Sequence, residues 1–179
     1  MTTKPMKSYE KSRKIHFIKL IILSVAVVLW LTLIFGFSSD SGDDSSKKSG
    51  ELLIKIANIV APSLGATIDN YQEIPELENC EKILRKCAHM AEYGILALLL
   101  WLLIREILFF ISKGTPQAAL RTYIISEVIV IVVGTIDEIN QTRFVGRFGS
   151  PKDVIVDAIG GAIVLAFCHF FFRRAGGRF

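Results

Sequence analysis

The feature that most constrains this chain is a long apolar segment near its start. Residues 20–37 are eighteen in a row without a charged side chain. A helix of that length nearly spans the roughly 30 Å hydrocarbon core of a bilayer. Basic residues precede the segment, which is typical of a membrane helix with a cytoplasmic N-terminus. A cleaved signal peptide would also begin this way, but no Ala-x-Ala site follows, so we predict a retained helix.

Three further apolar blocks follow, at residues 93–104, 122–136 and 158–172. Hydrophobic residues make up 51% of the chain, and their grouping in blocks argues against a soluble enzyme, a disordered protein or a disulfide scaffold. The block 93–104 covers only about 18 Å, so its helix must recruit polar neighbours to cross. We therefore predict an all-α integral membrane protein, a four-helix transmembrane bundle with helices near residues 16–37, 85–106, 118–138 and 153–173.

The charge distribution sets the expected orientation. The net charge is +4, and part of the excess lies at the two ends of the chain. This pattern suits anchoring at an anionic inner leaflet better than binding to nucleic acid. Four helices with a cytoplasmic N-terminus also bring the C-terminus to the cytoplasm. The partners predicted from composition are therefore membrane lipids, and no nucleic acid.

The first outer loop, residues 38–84, is long for so small a protein. Within residues 51–60, Glu51, Lys55 and Asn58 follow a helical spacing that leaves a wide apolar face. We predict a short amphipathic helix that lies on the membrane surface or caps the bundle. Pro62, Gly65 and Pro75 are expected to break the remainder of the loop.

With these helix directions, every helix is polar at its outer end. At 100° per residue, the polar side chains that begin the second helix fall within an arc of about 120°. Ionisable groups in the apolar zone are costly and usually face a partner or a cavity. We therefore predict one polar pocket that opens to the outer face.

The pocket residues divide by expected role. Candidates for acid–base chemistry are His89, Glu92, Asp137, Glu138 and Asp157. Candidates for ligand binding are Ser38, Arg85, Lys86, Tyr93, Gln141, Arg147 and Asp153. The alternative is a buried salt-bridge network that only fixes helix order. Glu127, near mid-bilayer, is expected to form a hydrogen bond within the bundle, with a proton relay as its alternative.

Metal and cofactor signals are weak. Neither HExxH nor Cys-x-x-Cys occurs. The carboxylates could bind Mg²⁺ or Ca²⁺, but the neighbouring Arg and Lys residues make a metal less necessary. We predict no metal site and no cofactor, and we interpret the three cysteines as structural or incidental.

The polar segments resemble the VanZ-like family of small bacterial membrane proteins. The matching pieces occur in order: Phe37-Ser38-Ser39, RKCAHMAEYGIL at 85–96, DEINQTRFVGRFGSPKDV at 137–154, and Asp157 followed by Gly160-Gly161. The resemblance implies a multi-pass protein of the bacterial inner membrane. It would divide the chain into a cytoplasmic N-terminus (1–15), a VanZ-like four-helix domain (16–175, with the outer loop 38–84) and a cytoplasmic tail (176–179). The family is named for an accessory protein linked to teicoplanin resistance.

Three functional hypotheses remain open. In the first, the chain acts at the cell envelope and binds a lipid-linked cell-wall precursor or a lipoglycopeptide. Arg85, Lys86 and Arg147 would then contact phosphate or carboxylate, and the protein would contribute to glycopeptide resistance. In the second, the chain is a membrane-embedded enzyme for a lipid-linked substrate, with Ser38 as a possible nucleophile for His89. The third is transport, which the lack of an inverted repeat disfavours for a monomer. The sequence leaves the oligomeric state open.

Overall fold

The computed structural model describes residues 3–60, 75–112 and 119–174. Within these ranges the chain forms five helices and no strand. They are α1 (Thr3–Ser38), α2 (Gly42–Val60), α3 (Pro75–Ile111), α4 (Ala119–Gln141) and α5 (Pro151–Arg174). The prediction of an all-α protein is therefore confirmed for the described residues.

Three segments are long and apolar enough to cross a membrane: Arg13–Ser38, Leu77–Ile111 and Pro151–Phe171. They carry many exposed large apolar side chains, such as Ile22 and Val28, as lipid-facing helices do. Helix α4 is about 34 Å long at 1.5 Å per residue, but charged residues interrupt its apolar sequence. Three helices thus support the conclusion that this is a membrane protein. That α4 is a fourth membrane span stays a prediction.

Three helices begin well before the sequence predicted, and the first of them is α1, which begins at Thr3 rather than near residue 16. Helix α2 begins at Gly42 rather than at residue 51, because the Ser41 hydroxyl accepts a hydrogen bond from the Asp44 amide at 3.1 Å and caps the helix. Helix α3 begins at Pro75, ten residues before the predicted start. Pro75 occupies the first position of α3, to which proline is well suited. The predicted breaks at Pro62 and Gly65 lie outside the described residues.

Helix α3 is the centre of the fold, because it packs against α1, α2, α4 and α5. Its core residues include Tyr93, Leu96 and Trp101, all nearly inaccessible. Helices α3 and α5 run parallel to each other and antiparallel to α1 and α4, as the contacts Met90–Gly160, His16–Glu106 and Trp101–Tyr123 show, so two ends can be distinguished. We call the end near Ser38 and Glu138 the polar end, and the end near Glu106 the opposite end.

Glycine residues bring α3 and α5 very close together beneath the polar end. A Cβ atom on Gly160 would overlap the backbone of Met90, and one on Gly94 would meet Val164 at 2.8 Å. Small residues allow this approach between membrane helices, as the sequence Gly160-Gly161 indicated.

The opposite end contains ionisable residues covered by aromatic rings. The His16 Nδ1 atom lies 2.5 Å from the Glu106 carboxylate, which is 3% exposed. The His16 ring stacks on Phe109, and the Arg105 guanidinium lies over Trp101. These contacts join the start of α1 to the end of α3.

Candidate functional site

A cavity of about 290 Å³ lies at the polar end, and we call it the first cavity. Helices α3, α4 and α5 supply its polar wall, together with the turn that joins α4 to α5. It brings together eight of the twelve predicted site residues. Its lining consists of Gly42, Lys82, Arg85, Lys86, His89, Glu138, Gln141, Gly146, Arg147, Phe148, Asp153, Val156 and Asp157.

Lys86 and Asp153 form the contact between α3 and α5 at the cavity. The Lys86 Nζ atom lies 3.5 Å from Asp153 Oδ1, and the two side chains are 57% and 43% exposed. A pair this accessible contributes little to stability. Lys86 can therefore exchange Asp153 for an anionic ligand at small cost.

The carboxylates of α4 are held more firmly. Glu138 Oε2 accepts the Ser150 amide at 2.7 Å, which ties the end of α4 to the start of α5. The Gln141 amide donates to Asp137 at 3.0 Å and to Glu138 at 3.3 Å. Glu138 and Gln141 thus face the cavity with part of their hydrogen-bonding capacity already used.

Two predicted residues lie behind the cavity rather than in its wall. Tyr93 is fully buried and Asp137 is 1% exposed. The Tyr93 side chain lies beside Asp137 and Asp157 in the packed interior, near Gly134. Neither Tyr93 nor Asp137 is among the described residues that line the first cavity. The structure therefore favours a supporting position behind the cavity for both residues over direct contact with a ligand.

The guanidinium of Arg85 already has partners on its own helix and on α2. In the structure it donates to Glu81, one turn away, at 2.7 and 2.9 Å, and to Ser46 of α2 at 3.0 Å. Glu81 is 2% exposed and also accepts a hydrogen bond from Ser49. Sequence reasoning missed Glu81, although its i, i+4 spacing from Arg85 was the available signal.

A second cavity, of about 530 Å³, lies between α1, α2 and α3. It shares Arg85, His89 and Arg147 with the first cavity, so these three side chains form the wall between the two. Glu92 faces this second cavity, 3.8 Å from His89. The full lining is Phe37, Asp40, Ser45, Lys48, Ser49, Leu52, Leu84, Arg85, Cys87, Ala88, His89, Glu92 and Arg147.

Ser38 does not meet His89 in the manner of a nucleophile and its base. Ser38 is 2% exposed, and among the described residues it lines neither cavity. Its backbone carbonyl instead accepts a hydrogen bond from Arg147 at 3.1 Å. The Ser38 carbonyl thus holds Arg147 against α1, and a role of Ser38 in ligand binding stays a prediction.

The turn between α4 and α5 is fixed to the start of α2. The Gly42 amide donates to the Val145 carbonyl at 3.1 Å, and the next residue, Gly146, has a φ of 76° that favours glycine. Val145 and Phe148 are 87% and 89% exposed. Phe148 lines the first cavity, so an exposed apolar side chain lies beside its charged wall.

The remaining predictions concern residues outside this wall. Glu127 lies against Gly161 in the α4–α5 contact, and its role stays a prediction. In the parts of the chain that the structure describes, no three His, Cys, Asp or Glu side chains are arranged to hold a metal ion. Cys80, Cys87 and Cys168 are free thiols, and the first two are exposed.

Comparison with known proteins identifies one family. A family model described as VanZ/LLP1 matches residues 23–172, a range that contains most of the lining of both cavities. Comparison with curated proteins and with solved structures finds no match.

Proposed function

This chain belongs to the VanZ/LLP1 family, and from that premise we propose that it acts at the bacterial cell envelope by binding an anionic amphiphile. The first cavity would receive the phosphate or carboxylate headgroup. Lipid-linked cell-wall precursors and lipoglycopeptides are ligands of this kind. Binding a lipoglycopeptide of the teicoplanin type would connect the protein to glycopeptide resistance.

One observation carries this proposal: Lys86 is a half-exposed cation in the wall of a cavity that an exposed apolar side chain also lines. Lys82, Arg85 and Arg147 line the same cavity, while Phe148 is exposed beside it. Charged hydrogen-bond donors suit phosphate and carboxylate groups, and exposed apolar side chains suit an attached lipid. The mixed wall also contains Glu138, Asp153 and Asp157, which can bind the sugar hydroxyls or amines of a larger headgroup.

The proposed orientation places the polar end outside the bacterial inner membrane. Helix α4 would be the fourth span of the membrane domain, residues 16–175. Residues 1–15, which precede this domain, and residues 176–179, which follow it, would both lie in the cytoplasm. The basic residues near both ends of the chain support this orientation. The first cavity would then open on the side where assembled precursors and extracellular antibiotics are found.

A binding measurement on the purified protein in lipid nanodiscs tests the proposal. The probe is a polyprenyl pyrophosphate, with a lipoglycopeptide as the second probe. Lys86→Gln should weaken binding about tenfold, the effect of losing one charge-assisted hydrogen bond. Lys55→Gln is the matched control, because Lys55 is exposed on α2 and lines neither cavity. Equal binding by both variants would contradict the proposal.

A second test separates a working site from a purely structural ion network. His89→Ala and Glu92→Gln should leave much of the protein in the membrane while removing its effect on teicoplanin susceptibility. Arg85→Gln should also lower membrane abundance, because it leaves the buried Glu81 carboxylate without its ion-pair partner. Membrane abundance and susceptibility are measured together for each variant. If abundance falls in step with the effect at every position, the salt-bridge network is the better explanation.

The alternative is a membrane-embedded enzyme that acts on a lipid-linked substrate. It is favoured by the position of His89, which lies between the two cavities. The His89 Nδ1 atom is 3.8 Å from the carboxylate of Glu92, which lines the second cavity. His89 would act as the base and a neighbouring carboxyl group as the acid. Incubation of the purified protein with a lipid-linked precursor should then give a new product that His89→Ala fails to form. Unchanged substrate would reject the enzyme and leave the binding proposal in place.

A further inference from the structure

We propose that the second cavity is a lateral entrance for the lipid chain of the bound amphiphile. The chain would lie between α1 and α3 beneath α2, while the headgroup reaches the first cavity past His89. This inference rests on the proposed function and adds to it the route and the apolar part of the ligand.

Both cavities lie at the polar end, and they share Arg85, His89 and Arg147. The first cavity lies beside the turn between α4 and α5, where Phe148 lines it. The second cavity lies on the α1 side of the shared residues and extends to Glu92, about one turn beyond His89 inside the candidate span of α3. The second cavity is therefore the one that faces the gap between α1 and α3, from which a lipid chain could enter.

One part of the lining of the second cavity suits a lipid chain, although polar residues of α2 and α3 also line it. Phe37, Leu52, Leu84 and Ala88 supply an apolar surface, and Phe37 is 55% exposed. Phe37 lies within the candidate span of α1, so its exposed ring would contact lipid in a bilayer. The cavity could then be reached from the membrane without crossing water. Burying a lipid chain here is favourable because each methylene group removed from water contributes.

The order of chemistry across the two cavities matches the order of groups in the ligand. Apolar side chains come first, then the shared wall of Arg85, His89 and Arg147, and then the mixed polar wall of the first cavity. A polyprenyl pyrophosphate has the same sequence of chain, phosphate and polar headgroup. The shared cationic wall would hold the phosphates where the two cavities meet.

Hydrogen bonds close the second cavity at two sides, one toward the middle of the helix bundle and one toward α2. Trp30 Nε1 donates to the Glu92 carbonyl at 2.9 Å, which joins α1 to α3 at the deeper side. On the other side, Ser46 and Ser49 hold α2 to Arg85 and Glu81. The exposed Phe37, Ala88 and Leu52 mark the flank that these contacts leave accessible.

Two alanine residues of α3 provide a matched test. Ala88 and Ala91 are both exposed, but Ala88 lines the second cavity and Ala91 does not. Ala88→Trp should weaken binding of a polyprenyl pyrophosphate by on the order of tenfold, because losing the burial of two methylene groups is sufficient. Binding of inorganic pyrophosphate should be unchanged. Ala91→Trp should leave both probes unaffected.

The outcomes separate this inference from the proposed function. Equal effects of Ala88→Trp and Ala91→Trp on the long-chain probe overturn the lateral entrance and leave headgroup binding intact. If the wild-type protein binds neither probe, the proposed function itself is overturned. A loss of both probes in Ala88→Trp means that the substitution disturbs the headgroup site, and it counts against a separate chain site.

The native cysteines give a second measurement that requires no bulky substitution. Cys87 lines the second cavity, whereas Cys80 lies two turns nearer the start of α3. A fluorophore on Cys87 in a Cys80→Ser protein should be quenched strongly by lipids brominated on the acyl chain, and polyprenyl pyrophosphate should relieve the quenching. A fluorophore on Cys80 in a Cys87→Ser protein is the control. Equal quenching at both positions, or no relief at Cys87, would overturn the entrance.

Discussion

The two ends of the helix packing use ionisable residues in different ways. At the opposite end, Glu106 is buried, contacts His16 directly and lies near aromatic rings. At the polar end, Lys86 and Asp153 are half exposed and stand 3.5 Å apart in the wall of a cavity. One arrangement joins two helices, and the other leaves charged groups within reach of a ligand.

This contrast shows what an ionisable residue in a membrane protein can and cannot indicate. Such residues are costly in both places, and sequence alone gives both the same weight. Burial and partners distinguish them, because a charge that is paired and covered has little capacity left for a ligand. The predictions below test the contrast in order of decreasing effect.

The largest expected effect concerns the sides of the membrane on which the two ends lie. In a Cys87→Ser protein, a membrane-impermeant maleimide added outside spheroplasts should modify the exposed Cys80 almost completely. The buried Cys168 should remain unmodified. Cysteines added at residues 3 and 178 should react only after the membrane is permeabilised. External labelling at those two positions would reverse the proposed topology.

The next effect concerns the buried pair at the opposite end. Glu106→Ala should lower the stability of the protein by about 2–4 kcal/mol, because it removes the hydrogen-bond partner of His16 and leaves the buried space of the Glu106 side chain unfilled. The measurement is the unfolding midpoint in detergent together with membrane abundance. Glu78→Ala is the control, since Glu78 is exposed and pairs with the exposed Lys82. Similar results for both variants would remove the distinction between the two ends.

A smaller effect is expected where α3 and α5 approach each other below the first cavity. Gly160→Ala should cost about 1–3 kcal/mol, because the added methyl group overlaps the backbone of Met90 and the helices must separate. Gly36→Ala adds the same group to a position with no neighbour within 4 Å. Thermal stability of the two purified variants checks the prediction, and equal values would contradict the close contact.

The smallest effect on stability is expected at the polar end. Lys86→Gln should change the unfolding free energy by no more than about 1 kcal/mol, because the pair with Asp153 is accessible to solvent. The same variant should lose ligand binding, as described above. A large loss of stability would mean that Lys86 is a structural residue like Glu106, and the contrast between the two ends would fail.

Much of the fold could be predicted from the sequence. The apolar blocks have helical lengths and alternate in direction, so the meeting of polar residues at one end follows from chain order alone. The prediction placed His89, Glu138 and Asp157 at the same end, and the structure brings them to one cavity. The early starts of α2 and α3 were missed, because serine-rich and proline-containing sequence resembles a loop unless its caps are recognised.

The partners of individual side chains were harder to predict. His16 and Glu106 are ninety residues apart, and no local pattern connects them. Glu81 lies outside every apolar block, and sequence reasoning did not single it out, although it is buried and contacts Ser49 of α2. Tyr93 falls on the predicted polar face, but packing of α4 and α5 buries it. Such contacts depend on how helices rotate against one another, which helical periodicity does not determine.

The length of α3 has a mechanical consequence. A helix of 37 residues is a rod of about 55 Å, and its tight contact with Gly160 at Met90 acts as a pivot well inside that length. A tilt of about 10° around this pivot would move the first turn of α3 by roughly 4 Å, since that turn lies about 22 Å away. His89, adjacent to the pivot, would hardly move. A tilt of this kind would therefore displace Lys82 in the wall of the first cavity more than His89 between the two cavities.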